Sequence, residues 1–366
     1  MSGALASPMT GELFELMAEW DGIGVVVRHD APTGTWIFIA LHDDTLGQPV
    51  GGCRMKVYER PEDALVDALR LAKGMTSKWA AIDFPFGGGK SVLAIPHELE
   101  GAERTGLLHR FGELLNTLKG TYGTGEDMGT TPEDILSIAQ VTSNVMGVAS
   151  GSTEVMDPGP FTALGVFESI RSVLRHTVGD DDMIGKRILI QGIGRVGGPL
   201  ARTISAAGGQ VILSDVDASR VAALAEELGG TVVPAEALYR TECDVFAPCA
   251  IGAILSEDTI PLLKCRGVAG SANNQLRDDD DADLLHGRGI LYAPDYIANG
   301  GGAMAFGLIF QGVTEHETLR SRVSTIGASL DEIFEESASE GISPLVSASR
   351  RVERILMAAR AQTAQA

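Results

Sequence analysis

RILIQGIGRVG, at residues 187–197, is the stretch on which the fold turns. Arg187–Gln191 is a short apolar run of the kind that forms a strand buried on both faces. Gly192-Ile193-Gly194-Arg195-Val196-Gly197 then spells G-x-G-x-x-G, and a helical pattern follows to about Ala207. Strand before and helix after is the setting in which that spacing binds a dinucleotide. Gly192 would make the tight turn, Gly194 would let backbone approach a pyrophosphate, and Gly197 would let helix and strand pack closely. Arg195 and Val196, between them, would also bind the cofactor, and the helix N-terminus would supply its positive dipole end. A second strand, Val211–Ser214, ends in Asp215. A carboxylate there bonds the ribose hydroxyls and repels a 2′-phosphate, so the expected cofactor is NAD rather than NADP.

Downstream, strand-like runs recur near 231–233, 244–247, 267–269 and 289–292. The alternation with helices predicts an α/β, Rossmann-type domain with a parallel sheet. Ligands of such sheets bind past the carboxyl ends of the strands. Cys249-Ala250 and Gly270–Asn274 fall there, which makes Asn273 a candidate for polar contact. Asn299-Gly-Gly-Gly-Ala303 opens another helix, and Asp278–Asp281 reads as a helix N-terminus with solvated charges. Two last helical stretches, 314–339 and 343–363, are expected to pack back on the first half of the chain. Upstream, SGSTEVMDPGP near 150–160 marks a boundary, and a helix at 161–176 leads into the second domain. The division expected is therefore 1–152, with C-terminal helices from about 340 to 366, for substrate binding and oligomerisation. Residues 153–339 would bind NAD. A cleft between the two would close and expel water before reaction.

In the first half, residues 10–19 read as an amphipathic helix with Leu13, Leu16 and Met17 on one side. Strand-like runs follow at Ile23–Arg28, Trp36–Leu41 and Val50–Tyr58, and Pro61 opens a long helix that delivers Lys78. Three glycines, Gly87–Gly89, then precede Lys90 and a short strand, Ser91–Ile95. Read as a turn, the glycines would allow positive φ and close approach of a bound molecule. A lysine desolvated at such a turn becomes a usable base. A flexible surface turn is the plain alternative. A phosphate loop is excluded, because G-x-x-x-x-G-K-[ST] would need glycine where Phe84 stands. A helix at 103–118 leads to TYGTGEDMGTT, 121–131, where Glu126-Asp127 sits among glycines. Thr131 and Asp134 have the spacing of a capping box. An acidic pair beside a turn is commonly solvated; two isolated lysines and a carboxylate on glycine-rich segments instead suggest one shared site.

Over the whole chain, 366 residues leave room for two cores, and the formal charge of −20 argues against nucleic acid. Cys53, Cys243, Cys249 and Cys265 form no C-x-x-C pair and read as reduced core thiols rather than a metal site. Residues 1–20 show neither a basic n-region nor an apolar h-region, and no apolar run is long enough to span a membrane. A cytoplasmic protein is expected.

Taken together, G-G-C-R (51–54), K-G-M-T-S-K (73–78), G-G-G-K (87–90), T-G-E-D-M-G (124–129), the glycine fingerprint at 192, G-S-A-N-N-Q-L (270–276) and Y-A-P-D-Y (292–296) resemble the glutamate/leucine/phenylalanine/valine dehydrogenases, in the family's order. The resemblance implies NAD-dependent oxidative deamination of an L-amino acid to a 2-oxo acid and ammonia, in a homo-oligomer. Carried over motif by motif, Lys78 and the backbone of Gly52 would hold the substrate carboxylate. Lys90 would activate water, and Asp127 would exchange protons with the amine. Asn273 would lie near carboxylate and nicotinamide, and Thr162 and Ala250 would line the cofactor site. Val50, Gly125, Ala303 and Phe306 would shape the side-chain pocket. Glutamate-specific members have lysine where this chain has Val50, so an apolar substrate is implied, phenylalanine slightly ahead of leucine and valine. Gly125 and Ala303 would enlarge the pocket, and Phe306 would refill part of it. A catalytically silent NAD-binding sensor is the alternative, against which Lys78, Lys90 and Asp127 speak.

Overall fold

Apolar residues alternating along residues 35–57 and 87–95 build a sheet with a helix on each side. The computed structural model describes residues 9–149 and 151–363. The chain up to Val155, together with its end from Ala359, forms one unit, and Met156–Ala358 forms another. The first contains α1 (Met9–Trp20), β1 (Gly24–Asp30), β2 (Thr35–Asp43), β3 (Pro49–Val57), α2 (Pro61–Ala81), β4 (Gly87–Ile95), α3 (Gly101–Thr117), β5 (Gly123–Glu126) and α4 (Pro132–Ala139). Its strands lie in the order β1-β2-β4-β3-β5. β2 runs antiparallel to β1 and β4, whereas β3 is parallel to both β4 and β5.

All of β4 is buried, and its side chains alternate between two cores. Val92 and Ala94 pack with Ala64, Leu65, Ala68, Leu69 and Ala72 of α2, a cluster that Leu16 and Met17 of α1 join. The side chain of Leu13 lies outside the described residues. Leu93 and Ile95 pack with Leu107, Leu108 and Phe111 of α3. Each fully buried side chain of this size contributes about 1.5–3 kcal/mol, which makes β4 the spine of the unit.

Here the structure corrects the sequence reading. Gly87–Gly89 are no turn: they are the first residues of β4, and none has a positive φ. They are glycine for want of space. A Cβ on Gly88 would press into Thr76 and lie 2.5 Å from the Ala72 carbonyl oxygen, and one on Gly89 would lie 2.7 Å from the Tyr122 ring. Helix α2 and Tyr122 thereby close onto the strand at its entry, and Lys90 follows as a buried residue of a rigid element.

The second unit contains α5 (Gly159–Val178), β6 (Arg187–Gln191), α6 (Gly197–Ala206), β7 (Gln210–Ser214), α7 (Ala218–Leu228), β8 (Thr231–Val232), β9 (Val245–Pro248), β10 (Gly267–Val268), α8 (Asp281–Gly287), β11 (Leu291–Tyr292), α9 (Asp295–Ala298), α10 (Gly301–Phe310), α11 (His316–Ser324), α12 (Ile326–Glu340) and most of α13 (Pro344–Thr363). All its paired strands are parallel, in the order β11-β10-β9-β6-β7-β8. That is the doubly wound order of a dinucleotide-binding sheet, its reversal point at β6 and β9.

Two further readings are corrected. The stretch 314–339 is two helices, broken at Thr325, whose hydroxyl turns back to donate to the Arg322 carbonyl at 2.8 Å. Asp281 is buried rather than solvated, its Oδ2 accepting from the Asp278 N–H at 3.0 Å. Helix α13 is fastened to α12 by Arg354 and Ser347, both on Glu336. Beyond Ala358 it belongs with the first unit, where Arg360 donates to Asp43 at 2.7 Å. Among the described residues no helix is long and apolar enough to cross a membrane.

Candidate active site

In the first unit the parallel register sets Val50 beside Gly88 and Gly123, and Gly52 beside Gly125. Residues two apart on a strand share a face, so Val50, Gly52, Lys90 and Gly125 all present the same side of the sheet. Lys90 Nζ lies 2.9 Å from Asp127 Oδ2, with the lysine side chain 6% exposed and the aspartate 24%. Gly52 runs directly against the pair: a Cβ there would lie 2.8 Å from Asp127 Cβ and 3.2 Å from Lys90 Nζ. No side chain fits between the β3 backbone and these two groups. Lys78 is half-buried in the last turn of α2. Gly125 faces Met146, whose Cε would be 3.3 Å from an added Cβ. Val50 is completely buried.

Asp127 stands on a turn the sequence builds with care. Thr131 and Asp134 form the capping box of α4, as their spacing predicts. The Asp127 N–H donates to Thr130 Oγ1 at 3.0 Å, and the Met55 N–H of β3 donates to the Met128 carbonyl at 2.9 Å. Gly129 closes the turn at φ 81°, against the Met55 carbonyl. Burial pushes the Asp127 carboxyl up, but the charge of Lys90, and after it that of Arg54, outweighs this and holds it below its ordinary value. Two cations therefore share one carboxylate, and both meet it at Oδ2.

In the second unit the three fingerprint glycines differ in their surroundings. Gly192 has φ 84° and packs on Ala250, a Cβ on Gly197 would collide with the Gly192 carbonyl, and a Cβ on Gly194 would meet nothing within 4 Å. That open backbone, ahead of the first turn of α6, suits a pyrophosphate. Arg195 reaches Asp157 at 3.0 Å. Asp215 directly follows β7, its Oδ2 accepting from the Ile193 N–H at 2.8 Å and Oδ1 from the Asp217 N–H at 2.9 Å. Arg220, unremarked in the sequence, adds a third contact at 3.0 Å. Burial raises the Asp215 carboxyl, yet the Asp217 and Ile193 amides and Arg220 hold it below the usual range, so it stays an acceptor. The residues fit NAD.

Thr162 Oγ1 donates to the Pro158 carbonyl at 3.0 Å and abuts Gly302 at the start of α10. Ala303 and the buried Phe306 lie on α10 itself. Asn273 Oδ1 accepts from Asn299 Nδ2 at 2.8 Å, and the same Nδ2 donates to the Ser271 carbonyl. A carbonyl only accepts, so Asn273 is left with its amide N–H groups to offer. Sequence reasoning missed Arg54, Met146, Arg220 and Asn299. Of these, Asn299, the first residue of the N-G-G-G-A run, and Arg54, the last of the G-G-C-R segment, carried a signal.

A family model described as Glu/Leu/Phe/Val dehydrogenase, dimerisation domain, matches residues 29–144, and one described as Glutamate/Leucine/Phenylalanine/Valine dehydrogenase matches residues 213–360. The leucine dehydrogenase of Bacillus cereus is 38% identical over 345 residues, 94% of this chain and 93% of that protein. The phenylalanine dehydrogenase of Lysinibacillus sphaericus is 36% identical over 350 residues, 94% of this chain and 91% of that protein. Among solved structures, an L-tryptophan dehydrogenase from Nostoc punctiforme superposes with a TM-score of 0.84 at 34% identity, covering 95% of this chain and 99% of that one. The chain belongs to the glutamate/leucine/phenylalanine/valine dehydrogenase family and is an NAD-dependent amino acid dehydrogenase.

Proposed function

We propose that the protein reversibly deaminates an apolar L-amino acid to its 2-oxo acid and ammonia, with phenylalanine the preferred substrate and leucine and valine next. The observation that carries this reading is the Lys90–Asp127 pair, buried against the bare backbone of Gly52 on the face that also presents Val50 and Gly125. Bound NAD supplies the hydride acceptor. Lys78 and the Gly52 backbone hold the substrate carboxylate. Lys90 takes a proton from the attacking water and, as an ammonium, stabilises the oxygen that gains negative charge. Asp127 holds the amine and carries its protons as ammonia departs.

Substrate choice follows from size and charge. Val50 is buried and carries no charge, and a side-chain carboxylate set against it unpaired would cost several kcal/mol. Glycine at 125 brings no side chain of its own to this face, and Met146 packs against it, its Cε 3.3 Å from where a Cβ would lie. The relatives named for leucine, phenylalanine and tryptophan fit a common apolar pocket. Homo-oligomerisation is part of the same reading, consistent with the dimerisation domain named for residues 29–144.

The test is NADH formation from NAD with a panel of L-amino acids at alkaline pH. Phenylalanine should give the highest kcat/KM, leucine and valine should follow, and glutamate should be inert. Preference for glutamate would overturn the reading, and silence across the panel with NADH still bound would leave a binding protein without turnover. The cofactor reading predicts that Asp215→Ala weakens NAD binding by about tenfold or more, the worth of a charge-assisted hydrogen bond. Arg220, released from Asp215, would then face a 2′-phosphate, so NADP should bind better than it does to the parent. Unchanged preference, measured by titrating both cofactors, would assign the ribose to another residue.

A further inference from the structure

Arg54 has no part in the roles above, yet it touches the centre of them. It sits in β3 with its side chain 15% exposed, and its Nε donates to Asp127 Oδ2 at 3.0 Å. Its NH1 donates to Asp67 Oδ2, on α2, at 2.8 Å. Asp67 is itself held, taking Tyr58 OH on Oδ2 at 2.7 Å and Arg70 NH2 on Oδ1 at 2.8 Å. The guanidinium is thus a rigid fork between two carboxylates, one at the reaction centre and one anchored to the helix behind it.

We propose that Arg54 is the positioning residue of the reaction: a permanent cation that keeps the Asp127 carboxylate in place while Lys90 gives up and regains its proton. The inference rests on the roles given above to Lys90 and Asp127. To act as a base Lys90 must first give up its own proton, and in that neutral state Asp127 lacks the ammonium charge 2.9 Å away. A half-buried carboxylate left without a counter-charge would swing towards water or take up a proton. Arginine cannot be deprotonated in a protein, so one partner of Oδ2 persists through the cycle. Because both cations meet Oδ2, Oδ1 is left for the substrate's amine. A second lysine at position 54 would serve less well, since one ammonium cannot repeat the fork to Asp127 and Asp67.

A kinetic double-mutant cycle tests this. Arg54→Gln should lower kcat by about 10–100-fold, with the KM for NAD unchanged, and Arg54→Lys should lower it less. Placed on Asp127→Asn, Arg54→Gln should cost less than about twofold, because the group it acts through is gone. The same loss on both backgrounds would overturn the proposal and leave Arg54 a staple between β3 and α2. Should Asp127→Asn turn over too slowly to follow, the order parent, Lys, Gln in kcat decides. Equal losses for the two Arg54 variants, or a loss confined to KM, would overturn it. Should Arg54→Gln fail to fold, Arg54→Lys runs the same cycle with a smaller expected loss. Near-normal turnover of Asp127→Asn alone would instead remove the role of Asp127, a failure distinct from that of Arg54.

Discussion

Lys90→Ala is expected to lower kcat by about a thousandfold or more, within the range of a lost general base that also stabilises charge. NAD should bind as before, because the fingerprint glycines and Asp215 lie in the other unit. The fold should survive as well. Asp127 keeps Arg54 as a counter-charge, and the alanine stays in a strand whose neighbours, Gly89 and Ser91, are small. Steady-state turnover paired with fluorescence titration of NADH separates the two effects. Near-normal turnover would remove Lys90 from the chemistry, and lost NADH binding would mean the lysine had been structural.

Gly129→Ala should be the most damaging single-methyl change near the site. The residue holds φ 81°, which costs an alanine about 1–2 kcal/mol, and the new Cβ would meet the Met55 carbonyl far inside contact distance. That oxygen belongs to β3 and cannot swing away as a side-chain tip would. The Met55–Met128 hydrogen bond beside it, and the Arg104 contact to the Gly129 carbonyl, would be strained too. With overpacking adding about 1–3 kcal/mol, a clear fall in melting temperature is expected. A fall in kcat should accompany it even well below the transition, because Asp127 is two residues away. Thermal unfolding and kcat measured on one preparation check both. A melting temperature equal to the parent's would show that the turn relaxes freely.

How far the site could be read in advance depended on whether its parts were local. The fingerprint at 192, the strand feeding it and the acid at 215 are local, and the structure has them at those positions. The capping box of α4 is four consecutive residues and was equally legible. What one dimension hides is register. Gly87–Gly89 read as a turn because glycines are conformationally free. Only the packing of α2 and Tyr122 on β4 shows that they are there for lack of room. The role of Arg54, though it closes the G-G-C-R segment, was hidden by alternation: a charged residue between Cys53 and Met55 has the pattern of a strand's solvent face, and its partners lie 13 and 73 positions away. Met146 was hidden likewise, since nothing in its neighbours says that it ends beside Gly125.

The return of the chain end to Asp43 bears on the order of assembly. The first unit begins the chain and also ends it, with Arg360 reaching back to β2 across all of Met156–Ala358. During synthesis, sheet and helices of this unit leave the ribosome early, but the clasp on Asp43 cannot form until Arg360 appears. The nascent first unit must therefore wait, with Asp43 unclasped, while the whole dinucleotide-binding sheet is made and folds. The clasp on Asp43 thus forms only after the second unit has been made. A chain that stops short of Arg360 leaves the Asp43 carboxylate without that guanidinium.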